Sequence, residues 1–278
     1  MVRFTKGHGT RNDFVLLSDP DDDHPLTGAE VRFLTDRRAG IGADGVLRAV
    51  RSRHIPSWRG DPDLWFMDYR NADGSLAEMC GNGVRVFARY LVDEGLVPAD
   101  TEVLQLGTRA GLRTAELLDD GRVRVWMGTP RVGEEVWVSA GDRRRRVAQA
   151  VDVGNPHAVT VLGSGEDVDD LDLTAVAHGP GGAFPGGVNL EFVARLASDH
   201  LRMRVVERGV GETQSCGTGT VAAATAVAAA AGRTTGVWRV EVPGGSVEVE
   251  LGDAEAWLTG PAVLVARGEV DLPGGHDG

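Results

Sequence analysis

Apolar residues fall along this chain in two rhythms. Short runs such as DFVLL, GVLRAV and LWFMDYR are bounded mostly by Gly- and Asp-containing turns, the pattern of β-strands. A different spacing follows in GNGVRVFARYLVDEGLVP. There Val84, Val86, Phe87, Tyr90 and Leu91 recur as on one helical face, which predicts a helix that Gly95 and Pro98 end. Strand-like TEVLQLGT, GLRTAELL and RVRVWMG come next, the last two parted by the turn DDG. The second half repeats the order. Strands are expected over AQAVDVG, HAVTVLG, GVNLEFVARL and HLRMRVVERG, then a helix over TGTVAAATAVAAAAG closed at Gly232, then strands over WRVEVPGG, SVEVELG and AWLTGPAVLVARG.

Each half therefore reads strands, a Cys-Gly-polar-Gly turn, a helix, and strands again, which suggests an internal twofold repeat. The boundary is expected near LLDDGRVRV, with domains at residues 1–120 and 121–262 and the C-terminal strand, 263–278, returning to the first domain. Eight of the ten residues from Ala222 to Ala231 are Ala. A helix that slender can be closely surrounded by a curved sheet.

Composition narrows the picture. The 278 residues are 42% hydrophobic and 25% charged, as in a soluble globular protein. The formal net charge of −12 argues against a nucleic-acid partner, which requires clustered Lys and Arg. The one basic run, GDRRRRVA, reads as a solvated loop or hairpin. The opening MVRFTKGHGTRNDFVLL has no apolar run of the length an export signal requires, so none is expected. The Ala-rich run falls short of a membrane span, so no membrane association is expected. Two cysteines are too few for a secreted disulfide scaffold, and a cytoplasmic protein with free thiols is expected. Neither Cys-x-x-Cys nor His-Glu-x-x-His occurs, so no metal is expected.

Both thiols, Cys80 and Cys216, sit in the same local context, CGNG and CGTG. Flanking glycines let the backbone approach a ligand closely. The first N–H groups of a helix lack intrahelical acceptors and lie at its positive end, so such a turn can bind a carboxylate and lower a thiol pKa. If the two turns shared one carboxylate, one thiolate could remove an α-proton while the other thiol returned a proton to the opposite face, inverting the stereocentre. Neither a metal nor pyridoxal phosphate would be needed. Two blander readings stand beside this one. A free Cys is often a small buried hydrophobe, and two thiols can also form a reversible disulfide.

The segments GHGTRNDFV, GIGADGVL, YRNADGSLAEMCGNGVRVFARYL, VDVGNPHAV, GVNLEFV and ERGVGETQSCGTGTVAA resemble, in order, the motifs of the diaminopimelate epimerase family. The resemblance implies an α+β fold with two pseudo-symmetric domains, each a curved, mostly antiparallel β-sheet around a central helix, and an active site in the interdomain cleft. It implies cofactor-free interconversion of LL- and meso-diaminopimelate, in lysine and peptidoglycan precursor synthesis, by a homodimer. By the same carry-over, Cys80 and Cys216 are the acid/base pair, and Gly81, Asn82, Gly217 and Thr218 hold the reacting carboxylate. Asn12, Asn71, Asn155 and Asn189 become substrate ligands, Arg208 the partner of the distal carboxylate, and Glu207 the acceptor for an ammonium group. His157 and Glu207 would adjust the thiol pKa values.

Gly45 departs from the family pattern, which often has a substrate-contacting Gln there. Val86 stands where a Cys is common, and RSRHIPSWRGDPDLW is longer than in compact members, suggesting a surface excursion. Proline racemase and hydroxyproline epimerase are the nearest alternatives by fold, and the amide set with Arg208, suited to a second amino-acid end, argues against them. From other classes, a thiol–disulfide redox protein and a non-catalytic binding module remain as alternatives.

Overall fold

A computed structural model describes residues 1–179 and 184–273. Strands and helices in chain order are β1 (Val2–Gly9), β2 (Asn12–Ser18), α1 (Gly28–Thr35), β3 (Gly45–Arg51), β4 (Trp65–Asn71), α2 (Gly81–Asp93), β5 (Val103–Thr108), β6 (Gly111–Leu117) and β7 (Val123–Gly128). They continue with β8 (Arg131–Ser139), β9 (Arg146–Asp152), β10 (Pro156–Val161), β11 (Ala177–Gly179), β12 (Asn189–Arg195), β13 (His200–Glu207) and β14 (Gly211–Thr213). The last elements are α3 (Gly217–Ala230), β15 (Gly236–Val242), β16 (Gly245–Leu251), β17 (Ala256–Gly260) and β18 (Val263–Val270). The chain divides into two compact units, Met1–Val125 with the chain from Pro261 onward, and Trp126–Gly260. Residues 274–278 of the expected C-terminal segment lie outside the described residues.

Within the first unit the strands run in the order β18-β1-β2-β3-β4-β5-β6-β7. Within the second, the order is β8-β9-β10-β12-β13-β15-β16-β17, with β11 beside β8 and β14 on the far end of β13. Read from β18 and from β8, the joins follow one sequence: antiparallel twice, parallel, antiparallel, parallel, antiparallel twice. Parallel neighbours require a crossover connection. In both units the second crossover carries the cysteine helix, α2 between β4 and β5 and α3 between β13 and β15. The repeat is thus a repeat of connections and strand directions.

Helix α2 packs on β1, β2, β3, β6 and β18 of its own unit. Helix α3 packs on β8, β9, β10, β12, β13, β15, β16 and β17 of its own. A flat sheet could not bring strands so far apart against one helix, so each sheet curls around its helix. The result corrects the one-face reading of α2. Every residue from Gly81 to Ala88 is buried, including Asn82 and Arg85. In α3 all residues from Gly217 to Ala228 are buried, and Ala on every side gives the sheet room to close. Burial of a side chain such as Phe87 contributes about 1.5–3 kcal/mol of transfer free energy.

The hydrophobic pattern does not pick out α1, which is eight residues long and held by a capping box. The Glu30 N–H donates to Thr27 Oγ1 at 3.3 Å, and the Thr27 N–H to the Glu30 carboxylate at 2.7 Å. GDRRRRVA supplies most of the turn of the β8–β9 hairpin and the first three residues of β9.

Candidate active site

In the first unit, Cys80 is the N-cap of α2 with extended backbone angles (φ −140°, ψ 120°). Its sulfur lies 3.3 Å from Asn12 Oδ1 and donates to it. Asn82 Nδ2 donates to the same oxygen at 3.3 Å. Asn82 Oδ1 in turn accepts from Arg85 Nη2 at 2.9 Å. Arg85 is wholly buried; it also donates to Thr10 Oγ1 and the Pro261 carbonyl, while Nη1 has no partner. Burial pulls its pKa down to about 10, and interaction with Cys80 opposes that fall, so it is a cation at neutral pH.

The β1–β2 hairpin holds Asn12 in place. Its two turn residues, Thr10 (φ 49°) and Arg11 (φ 62°), both occupy the left-handed region, which is costly for a β-branched Thr. The Thr10 bond to Arg85 helps to fix that turn. On its other side Asn12 Nδ2 donates to Asp44 at 2.8 Å, and Arg37 grips both Asp44 and Asp13. Burial alone would raise the Asp13 pKa, but bonds from Arg37 and Lys6 outweigh it and hold the carboxyl at about 2. The cluster therefore stays charged and keeps the Asn12 amide oriented with its oxygen toward Cys80.

Asn71, at the end of β4, bonds to Ser75 Oγ in its own turn at 3.0 Å. At Gly45 a Cβ would stand 2.5 Å from the Arg70 carbonyl and 2.7 Å from the Tyr69 ring. This backbone has no room for the glutamine common in the family.

In the second unit, Cys216 is the N-cap of α3, again extended (φ −122°, ψ 116°), and its thiol is buried. The sulfur accepts from the Gly219 N–H at 3.4 Å and lies 3.4 Å from Thr218 Oγ1. Burial pushes this thiol well above its usual pKa, and the carboxyls of Glu207 and Glu191 add to the rise; the bonds from Thr218 and Gly219 only partly counter them. Glu207 hydrogen-bonds Cys216 and accepts from Thr213 Oγ1 at 2.5 Å. Burial raises the pKa of Glu207 as well.

Behind them lies a buried chain. His157 Nδ1 is 2.6 Å from Glu191 Oε1, with both side chains fully enclosed, and His157 Nε2 is 3.0 Å from Asn155 Oδ1. Asn189 accepts from the Arg208 backbone N–H at 3.1 Å and donates to the Pro156 carbonyl at 3.3 Å. Arg208 donates to the Gly186 carbonyl at 3.0 Å. The parallel β10–β12 register, with His157 opposite Asn189, assembles this group. Sequence reading passed over Glu191 and Arg85. The available signal was a charge inside an otherwise apolar run, NLEFV and GVRVF.

Among the described residues, no three His, Cys, Asp or Glu side chains gather as metal ligands do, and no helix is long and apolar enough to cross a membrane.

Comparison with known proteins shows the family. The family model described as diaminopimelate epimerase matches residues 4–133 and 149–271. The chain belongs to the diaminopimelate epimerase family. It is 49% identical to the diaminopimelate epimerase of Corynebacterium glutamicum, over 98% of this chain and 99% of that one. It is 48% identical to that of Streptomyces coelicolor, over 97% and 96%. Membership makes the chain an isomerase. Among solved structures, a probable proline racemase from Agrobacterium radiobacter aligns with a TM-score of 0.69 at 20% identity, covering 100% of this chain and 95% of that one. A hydroxyproline epimerase from Agrobacterium vitis aligns at 0.68 and 15%, covering 96% and 91%. A phenazine biosynthesis protein from Bacillus anthracis aligns at 0.68 and 15%, covering 98% and 99%. At such identities the likeness is one of fold, and it agrees with the expected α+β epimerase architecture.

Proposed function

We propose that this chain interconverts LL- and meso-diaminopimelate by proton transfer at one α-carbon, with Cys80 and Cys216 as the two acid/base groups. The observation that carries the reading is that each cysteine caps the helix at the same step of a repeated strand order, in a chain of this family. First-turn N–H groups at Gly81, Asn82, Gly217 and Thr218 receive the reacting carboxylate, where helix dipoles stabilise the negative charge that develops as the proton leaves. Charge divides the labour. A thiolate is favoured on the side of the Arg85 cation, and burial, reinforced by the carboxyls of Glu207 and Glu191, keeps Cys216 protonated. Cys80 is then the base and Cys216 the acid for one direction, with the roles exchanged for the other.

Asn12, Asn71, Asn155 and Asn189 serve as substrate ligands, since an amide both donates and accepts. Arg208 takes the distal carboxylate and Glu207 an ammonium group. His157 acts on the thiols through its neighbours. The enzyme works as a cytoplasmic homodimer and needs no cofactor.

The test is incubation of the reduced, metal-stripped protein with LL-diaminopimelate in deuterated water, followed by proton NMR. Formation of the meso isomer with deuterium at one α-carbon is expected. Replacement of either Cys80 or Cys216 by Ala should lower turnover by about a thousandfold or more. Exchange on proline or hydroxyproline instead, or activity that appears only after oxidation of the thiols, would overturn the reading.

A further inference from the structure

Against the first turn of α3 lies a carboxyl that the family motifs leave without a role. Glu191 Oε1 lies where a Cβ on Gly219 would be 2.7 Å away, so the acid sits directly against the first turn that Cys216 caps. It is wholly enclosed; among the described residues its side-chain partner is His157, and Oε2 has no hydrogen-bond partner. An isolated carboxylate in such a place is very costly.

The geometry fixes the proton count. Asn155 turns Oδ1 toward His157 Nε2, so that nitrogen carries a hydrogen and donates it. On the ring's other side, Nδ1 and Glu191 Oε1 are 2.6 Å apart, too close without a hydrogen between them. One proton is therefore shared, and the pair has zero net charge whichever atom holds it.

We propose that Glu191 is a positioning residue, which through this shared proton fixes the hydrogen-bonding state of His157 and which opposes ionisation of the Cys216 sulfur beside it. The inference rests on Cys216 being the acid of the proposed reaction. Three groups face this thiol or its partners: Glu207 from β13, His157 from β10 and Glu191 from β12. When the pair loses its proton, Glu191 becomes a negative charge beside the sulfur and opposes thiolate formation. Glu207 acts in the same sense, so removing Glu191 leaves part of the effect in place.

Glu191→Gln keeps the shape and removes the ionisable carboxyl. Iodoacetamide labelling across pH, read by peptide mapping, should show the Cys216 midpoint moving to lower pH while that of Cys80 stays. Turnover should fall about tenfold, as when a supporting partner is lost from a working side chain, with KM changed less than about twofold. Glu191→Asp should restore part of the labelling profile. A folded Glu191→Gln protein whose Cys216 curve superimposes on the native one would overturn the proposal. Nitrogen-15 NMR of the native protein tests it without any variant: Nε2 of His157 should be protonated at neutral pH, and a bare Nε2 with the hydrogen on Nδ1 would also overturn it. Native protein without activity on diaminopimelate would sink the functional reading, while the labelling and NMR results would still report on Glu191.

Discussion

The starts of α2 and α3 share a backbone and differ in buried charge. Each has an extended Cys at the N-cap, Gly at the first and third helical positions, and a polar residue between them. The helix-end field that acts on one thiol acts equally on the other. Around Cys80, however, the buried charge is the Arg85 cation, reached through Asn82 and Asn12. Around Cys216 the ionisable neighbours are instead two carboxyls, Glu207 and the Glu191 that shares a proton with His157, and both oppose a negative sulfur. A two-base reaction requires its bases in unlike protonation states at the outset. Duplicated backbone supplies two places for a thiol, and the enclosing side chains make those places unequal. The difference lies in about four residues, none of which changes the course of the chain.

The largest test of that contrast is Arg85→Met, which keeps much of the length and apolar volume and removes the cation. The Cys80 labelling midpoint should rise, the Cys216 midpoint should stay, and turnover should fall about a hundredfold. Labelling profiles that move together, or not at all, would mean that the helix ends dominate and that the buried charges are incidental.

Much of the backbone half of this comparison is legible in the sequence, and little of the charge half is. The helix starts at Cys80 and Cys216 can be read because Gly-rich turns lead directly into apolar runs, and many of the strands follow from the short runs around them. Reading α2 as a one-faced helix fails for a tertiary reason: the sheet curls far enough to cover Asn82 and Arg85 too, and hydrogen bonds make that burial tolerable. Helix α1 escapes notice because its signal lies in Thr27 and Glu30, not in hydrophobic spacing. Strand β8 escapes because its first five residues, RVGEE, are exposed. The Glu191–His157 pair spans 34 residues and depends on the register of two parallel strands, which no local pattern encodes.

The equivalent glycines Gly83 and Gly219 give a smaller and sharper test. A Cβ on Gly83 would meet Cys80, Phe14 and Leu47 atoms at 3.5–3.6 Å, ordinary contact distances. On Gly219 it would stand 2.7 Å from Glu191 Oε1 and 3.3 Å from Cys216 Cβ, and the carboxyl is held in place by His157. Gly83→Ala should be neutral or stabilise by about 0.5–1 kcal/mol, since Ala has the better helix propensity. Gly219→Ala should destabilise by about 3 kcal/mol through overpacking, measured by urea unfolding. Equal effects at the two positions would show that the second helix start is no more tightly enclosed than the first.

The smallest effect is a pH response of opposite sign in the two units. Asp13 titrates at about 2 in the folded protein against an ordinary 3.8. Its stabilisation is present above about 3.8 and is lost as pH falls through 2. At roughly 1.4 kcal/mol per pKa unit it is worth no more than about 2.5 kcal/mol. Glu207 is shifted the other way, its pKa raised from 4.5 by burial and eased down by bonds from Thr213 and Cys216. The unfolded chain releases that proton near 4.5 and the folded one later, so stability declines as pH rises from 4.5 toward the folded value. Thermal melts of Asp13→Asn should therefore lie below native above pH 4 and converge with it near pH 2. Those of Glu207→Gln should meet the native curve near pH 4 and gain on it as pH rises. If both variants tracked the native protein in the same direction, the carboxyls around Cys216 would be solvated groups, and the electrostatic contrast between the two thiols would fail at its weaker end.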